Sequence, residues 1–192
     1  MAAKEWHERF RWFITSSGKI VIGGKSAEQN EEVVKNHIDK EDIILHTALP
    51  GSPFLVIKSE GKNITEDDVK EAAIFCASFS QQWKKGMKKT EIHVFAPVQI
   101  FKNKRDKKGT FNVSGNIKKI EAELKLVLTI QNGILRAVPE SAAREKIMAI
   151  LPGKIKKEDA ARIIKEKLGR IKLPSAEQEI LQALPAGGFA IK

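Results

Sequence analysis

From Phe10 to Val138 many of the apolar residues fall into short runs separated by polar segments rich in turn residues such as Ser17-Gly18, Pro50-Gly51-Ser52-Pro53 and Asn132-Gly133. Runs of this length, bounded by turn residues and alternating with polar positions, specify strands joined by tight connections. They confine the chain largely to antiparallel pairing. Phe10 to Gly23 shows the pattern first: Phe10, Trp12 and Ile14 point one way, Thr15-Ser16-Ser17-Gly18 turns the chain, and Ile20-Val21-Ile22 returns. Asp42 to His46 and Phe54 to Lys58 form a second expected hairpin, joined through Pro50-Gly51-Ser52-Pro53, whose prolines fix φ and whose glycine permits a sharp turn. Ile92 to Phe95, Val98 to Lys102, Thr110 to Ser114 and Leu124 to Ile130 read as strands. Gln131-Asn132-Gly133 then leads into Ile134 to Val138, Asn-Gly being a strong hairpin signal.

Between these runs stand helix signals. Ser26-Ala27-Glu28-Gln29 has capping-box spacing and opens a helix to about His37, with Val33 and Val34 inward. Thr65 precedes an acidic first turn. Val69, Ala72, Ala73, Cys76, Phe79 and Trp83 then recur at three- and four-residue spacing, which predicts one helix to about Trp83 whose apolar stripe lies across the sheet. After Pro139 the character turns helical: Glu140 to Leu151, Glu158 to Leu168 and Ser175 to Leu184 each carry an apolar face and end near Pro152-Gly153, Gly169 or Pro185. The expected fold is α+β: a mixed, mostly antiparallel β-sheet packed with helices, followed by a short helical C-terminal region. The expected division is 1–139 and 140–192, within the one domain or one and a half that 192 residues allow.

Charge narrows the function. Thirty-four Lys and Arg against twenty-four Asp and Glu give +10. Eleven of the bases lie between Lys84 and Lys119 (Lys84, Lys85, Lys88, Lys89, Lys102, Lys104, Arg105, Lys107, Lys108, Lys118, Lys119), against Glu91 and Asp106 alone. A concentrated excess of this kind is the electrostatic footprint of a polyanion site, and nucleic acid is the commonest cytoplasmic polyanion. No run approaches the roughly 18 apolar residues of a membrane span. The opening Met-Ala-Ala-Lys-Glu-Trp-His lacks the apolar core of a secretory signal, so a cytoplasmic protein without membrane attachment is expected. The single cysteine, Cys76, excludes an internal disulfide framework and a Cys-cluster zinc site.

Catalytic motifs are wanting. Ile22-Gly23-Gly24-Lys25-Ser26 ends like a phosphate loop, but Lys19 stands where the nucleotide-hydrolase version needs glycine. What survives is a phosphate grip by Gly24, Lys25 and Ser26 at a helix start, or a plain strand-to-helix turn. His7, His37, His46 and His93 lack metal-ligand spacing, and no cofactor is expected. His46, beside the 50–53 loop, is placed either to stack on a base or bond a phosphate, or to serve the structure alone. Cys76 reads as inert core, and Ser52 lies outside any nucleophile elbow. The chain is read as non-enzymatic.

The clearest functional segment is Phe101-Lys102-Asn103-Lys104-Arg105-Asp106-Lys107-Lys108-Gly109-Thr110-Phe111, a basic loop between two strands. Lysines there contact phosphate without reading bases. Phe101 and Phe111 either stack on bases or, the favoured reading, face inward. Arg9 and Arg11 alternate with Phe10 and Trp12, so one face of that strand is cationic. Lys84, Lys85 and Lys88 add to the basic set.

The same residues carry a family resemblance. Trp-His-Glu-Arg-Phe-Arg-Trp-Phe (Trp6 to Phe13), Ser17-Gly18, Ile22-Gly23-Gly24, Ala27 and Gln29-Asn30 resemble the opening of the RNA-binding domain of the NFACT family. His46, Gly51-Ser52, Val56-Ile57-Lys58, Ala72-Ala73, Ser80 with Trp83, Gly109, Phe111 and Gly115 continue it in unbroken order to about residue 130. Lys25 and Ser26 depart from a frequent Arg-Asp pair, and Pro50 from a second histidine. The resemblance implies binding of structured RNA, tRNA or ribosomal RNA, at the large ribosomal subunit in ribosome-associated quality control. It adds Asn30 and Ser52 to Arg9, Arg11, Lys25, His46 and the lysines as site residues. The length leaves no room for the family's N-terminal domain, helix-hairpin-helix and coiled coil, so the chain is similar to a stand-alone archaeal form with a helical tail. The alternative expectation is an adaptor whose region 140–192 docks on a protein partner supplying those N-terminal and coiled-coil domains.

Overall fold

The computed structural model describes residues 5–171 and 176–192. A 3-10 turn, Trp6–Arg9, leads into β1 (Arg11–Ile14) and β2 (Ile20–Gly23), then α1 (Ala27–Asn36), β3 (Ile43–Thr47) and β4 (Leu55–Ile57). Next come α2 (Glu66–Ser78), α3 (Gln81–Lys84), β5 (Lys89–Phe95), β6 (Ile100–Phe101), β7 (Asn112–Val113) and β8 (Lys118–Glu123). The chain closes with β9 (Leu126–Gln131), β10 (Ile134–Val138), β11 (Met148–Ile155), α4 (Lys157–Arg170), α5 (Glu177–Ala183) and β12 (Phe189–Ile191). The strands form a six-stranded sheet, β1-β2-β4-β3-β5-β8, a four-stranded sheet, β10-β9-β11-β12, and the ribbon β6-β7. Every pairing is antiparallel, so the α+β expectation holds.

Period-two alternation sorts the first sheet's side chains onto two faces. Phe10, Trp12, Ile22, Val33, Ile44, Phe54, Val56 and Phe95 form a core under α1 and the ribbon, with Ile14 packed against it. Phe13, Val21, Leu45, Leu55, Ile57 and Ile92 face the other way onto Val69, Ala72, Ala73 and Cys76 of α2, and this core runs on beneath the second sheet and its helices. The β1–β2 turn is pinned to α2 by Asp68. Its buried carboxylate accepts from Thr15 and Ser17 hydroxyls, each at 2.6 Å, while closing the helix's capping box with Thr65.

The helix expected to run from Thr65 to Trp83 breaks at Phe79. Ser80 restarts it as α3, its hydroxyl donating to Ala77 O and accepting from Gln82 N. The strand expected from Val98 begins instead as a 3-10 turn, Pro97–Gln99. A larger correction falls on residues 140–151. Helix formers there predict a helix, but a 3-10 turn, Glu140–Ala142, is followed by β11, in which Met148 and Ile150 are buried at period two against β9. β8, β11 and β12 were not expected as strands. The C-terminal region is therefore part sheet, and Pro139 marks no break in packing, since β9 before it pairs with β11 after it. α4 matches expectation. The start of the last expected helix at Ser175 lies outside the described residues, as does the opening Met1 to Lys4, and α5 covers the remainder.

Side chains tie the two sheets together. The Gln131 amide extends β1, accepting from Ile14 N at 2.9 Å and donating to Ile14 O at 2.8 Å. Arg136 donates through Nη2 to Trp12 O at 2.9 Å. The Trp83 indole donates to Gly188 O at 2.9 Å, fastening α3 to the last strand. Among the described residues, no helix is long and apolar enough to cross a membrane.

Candidate nucleic-acid interface

The basic loop between β6 and β7 is held by acids rather than left loose. Glu31 on α1 accepts from Lys102 Nζ and, at 2.9 Å, from the Gly109 amide, with Lys35 2.8 Å away. These donors, Lys102 foremost, hold the Glu31 carboxyl down at about 2. Lys102 also donates to Lys107 O at 3.1 Å and lies 5.0 Å over the Phe111 ring. Asp106 folds the loop tip by accepting from Asn103 N at 2.7 Å and Asn112 Nδ2 at 2.5 Å. Gly109 is required where it stands: its φ is +74°, and a Cβ there would lie 2.8 Å from Ala27. With Lys102 engaged, Lys104, Arg105, Lys107 and Lys108 are exposed, and among the described residues their side chains make no ion pair or hydrogen bond, although Lys108 helps to lower the exposed Glu28 carboxyl. Four exposed cations that form no ion pair among the described residues are available to phosphate.

Beside this loop lies a cavity of about 450 Å³ between α1, the facing ends of β3 and β5, and the 50–54 connection. Phe54, Phe95 and Phe111 supply its aromatic wall, and Asn30, His46, Ser52 and His93 its polar groups. The β3–β5 register sets His46 opposite His93. His46 Nδ1 is 2.7 Å from Thr47 O and therefore donates, leaving Nε2 as an acceptor; the ring lies 4.4 Å from that of Phe54. Burial lowers the His46 pKa below the ordinary histidine value, which keeps this neutral form at pH 7. Ser52 Oγ accepts from Thr47 N at 3.0 Å. Asn30 Oδ1 accepts from Phe54 N at 3.2 Å, whereas Asn30 Nδ2 makes no hydrogen bond among the described residues.

The expected site residues do not all converge. Asn30, His46, Ser52 and Lys108 share the cavity, with Lys104, Arg105 and Lys107 on the adjoining loop. Arg11 and Lys25 instead line a second cleft, of about 320 Å³, with Arg136. There Arg11 stacks 4.6 Å over Phe79 and Arg136 4.3 Å over Trp12, and burial pulls both guanidinium groups down to about 10. Arg9 pairs with Glu32 of α1. Lys84 lies on α3 and Lys85 at its end, while Lys88 joins Lys89 and Lys125 in another cleft.

The Gly24-Lys25-Ser26 turn is occupied by its own helix: Ser26 Oγ accepts from Gln29 N at 3.3 Å and Gln29 Oε1 from Lys25 N at 3.0 Å. Gly24 is glycine because Asn30 packs where its Cβ would be. Phe111 is half-buried against the core, but Phe101, expected to face inward, is 44 % exposed because β6 is only two residues long. Cys76 is buried, and burial pushes its thiol up to about 12.

His93, Phe54, Phe95 and Arg136 were not singled out from the sequence. His93 and Phe95 are brought to their cavity by the pairing of β5 with β3, Phe54 by the connection into β4, and Arg136 by its hydrogen bond to Trp12 O on the other sheet. Among the described residues, no group of three or more His, Cys, Asp or Glu side chains is arranged to hold a metal ion.

Comparison with known proteins identifies the family. A family profile described as NFACT protein RNA binding domain matches residues 9–115, which contain both the loop and the cavity. The archaeal Rqc2 homolog aRqcH of Methanocaldococcus jannaschii is 32 % identical over 199 residues, covering 98 % of this chain and 29 % of that protein. The ribosome quality control complex subunit NEMF of Homo sapiens is 37 % identical over 79 residues, 41 % of this chain and 7 % of that one. The chain thus spans less than a third of the length of these relatives. The C-terminal part of the fibronectin/fibrinogen-binding protein from Streptococcus suis shares the fold with a TM-score of 0.53 at 20 % identity, over 64 % of this chain and 49 % of that one. With more than half of its residues matched in order by that profile, the chain belongs to the NFACT RNA-binding-domain family.

Proposed function

We propose that this chain is a non-enzymatic RNA-binding module of ribosome quality control, acting on tRNA or on the RNA of the large ribosomal subunit in the cytoplasm. The observation that carries the reading is the anchored loop: Glu31 and Asp106 hold its frame while Lys104, Arg105, Lys107 and Lys108, which form no ion pair among the described residues, project beside an aromatic cavity. Fixed cations of this kind position a phosphate backbone without reading sequence. The names of the relatives point to the ribosome as the setting. In this reading residues 1–139 carry the interface, and 140–192 complete the core beneath it. The adaptor alternative, docking 140–192 on a partner with the family's N-terminal and coiled-coil domains, is disfavoured. Ala160, Ala161, Ile164, Leu168, Ile180 and Ala183 of α4 and α5 are already buried in the chain's own core.

The test is crosslinking in native cells followed by sequencing of attached RNA, with a variant carrying glutamine at 104, 105, 107 and 108 as control. Recovery of tRNA or large-subunit ribosomal RNA that vanishes in the variant is expected. Recovery of no RNA above background, or equal recovery with the variant, would overturn the proposal.

A further inference from the structure

Resting on the RNA-binding reading, we infer that the cavity between α1, β3 and β5 accepts a single unstacked nucleobase, with the phosphates of the same strand lying on Lys107 and Lys108. Its volume of about 450 Å³ falls in the range of small-molecule sites, about 300–1,000 Å³. Its wall is of the kind that receives bases, since proteins take splayed RNA bases onto aromatic and histidine rings. Phe111 lies edge-on to Phe54, 5.3 Å between centroids, and the His46 ring is tilted by 31° against Phe54 at 4.4 Å, so the three rings adjoin along one wall.

The polar groups left over are suited to a base edge. His46 Nε2 is an acceptor because Nδ1 is committed to Thr47 O, and Asn30 Nδ2 is a donor because Oδ1 is committed to Phe54 N. All four bases present both a donor and an acceptor on their Watson–Crick edge, so one acceptor beside one donor reads a base without strong preference among them. Charge agrees as well. Among the described residues no carboxylate lines this cavity and Lys108 is its one lysine or arginine, whereas Glu8 and Glu179 line the Arg11–Arg136 cleft. The Lys108 end adjoins the loop whose cations are free for phosphate.

The test uses the whole chain, 15N-labelled, titrated with AMP, CMP, GMP and UMP, and separately with ribose 5-phosphate as a probe lacking the base. All four nucleotides should shift the backbone amides of His46, Ser52, Gly109 and Phe111, while ribose 5-phosphate should move only those of Lys107 and Lys108. Ala48 is exposed and lines the cavity, so Ala48→Trp fills the space from a surface position without altering charge. Single-stranded RNA should then bind about 5- to 150-fold more weakly, the loss of one stacked base, with its salt dependence unchanged. Three results would overturn the inference: no cavity shifts with any nucleotide, the same shifts with ribose 5-phosphate, or undiminished RNA binding by Ala48→Trp. RNA binding that depends on the 104–108 cations but ignores Ala48→Trp would remove the base site and leave the broader reading intact. Absence of all RNA binding would remove the broader reading, and the nucleotide titration would still decide the cavity.

Discussion

Lys102 and its neighbours look equivalent as a run of charge, but the fold gives them different work, and salt dependence separates them. Lys102 is bonded to Glu31 and Lys107 O, whereas among the described residues Lys104, Arg105, Lys107 and Lys108 form no ion pair, Lys108 acting on the exposed Glu28 carboxylate only through space. Each phosphate neutralised by a free cation releases counterions, so log K falls against log salt by about 0.9 per contact on duplex and about 0.7 on single strands. Replacing the four free cations by glutamine should therefore reduce the slope by about 3 to 4 units. Over a fourfold rise in salt, from about 50 to about 200 mM, wild type should lose about 50- to 150-fold more affinity than the variant. Lys102→Gln should leave the slope nearly unchanged while weakening binding at every salt concentration, because the loop loses its tie to α1 and Glu31 loses its strongest donor. Fluorescence anisotropy with labelled tRNA at several potassium chloride concentrations measures both quantities. A slope change for Lys102→Gln as large as that of Lys104→Gln, or an unchanged slope for the fourfold variant, would refute the division between anchoring and contacting cations.

Other consequences are as direct. Burial alone would raise the Asp68 carboxyl, but donors from Ser17, Thr15 and Thr65 outweigh it and lower its pKa. Its stabilisation is thus present above the unfolded value of about 3.9 and lost as pH falls through the folded value. Asp68→Asn should cost about 2–3 kcal/mol at pH 7 and flatten the acid limb of stability in urea titrations across pH. Gly109→Ala should destabilise by about 1–3 kcal/mol, read as a lower thermal midpoint, and weaken RNA binding, since positive φ and the contact with Ala27 both oppose a side chain. Trp83→Ala should cost about 3–5 kcal/mol in chemical denaturation and speed amide exchange in β12, because the indole is buried and bonds Gly188 O. Cys76 should resist a disulfide-exchange reagent at pH 8 in the folded state and react at once in denaturant; reaction at equal rates would show the thiol to be accessible.

Local pattern reached a good part of the site. The 102–108 charges are contiguous, so their clustering needed no fold. His46, Asn30 and Ser52 were legible through the family resemblance, and the cavity they share is where the structure puts them. What stayed hidden was the wall. His93 faces His46 only because β3 pairs with β5 across nearly fifty residues of chain. The separation of Arg11 and Lys25 into another cleft, and the capture of Lys102 by Glu31, also depend on how α1 lies over the sheet.

The amino-acid sequence by itself determined what nearest neighbours along the chain decide. The β1–β2 hairpin follows from alternation and its Ser-Gly turn, the starts of α1 and α2 from capping hydroxyls, and the concentration of positive charge from lysines close in sequence. Tertiary structure decided everything that depends on distant partners. Residues 148–151 carry helix formers yet join a strand, because pairing with β9 buries Met148 and Ile150, and burial against a formed sheet outweighs propensities worth a few tenths of a kcal/mol per residue. The β8 strand, Lys-Lys-Ile-Glu-Ala-Glu, has too few apolar residues to announce itself and is defined by the edge of β5 that it covers. The loop's free cations became a surface distinct from its anchoring one for the same reason: an ion pair or a cavity needs two segments, and only the folded chain brings them together.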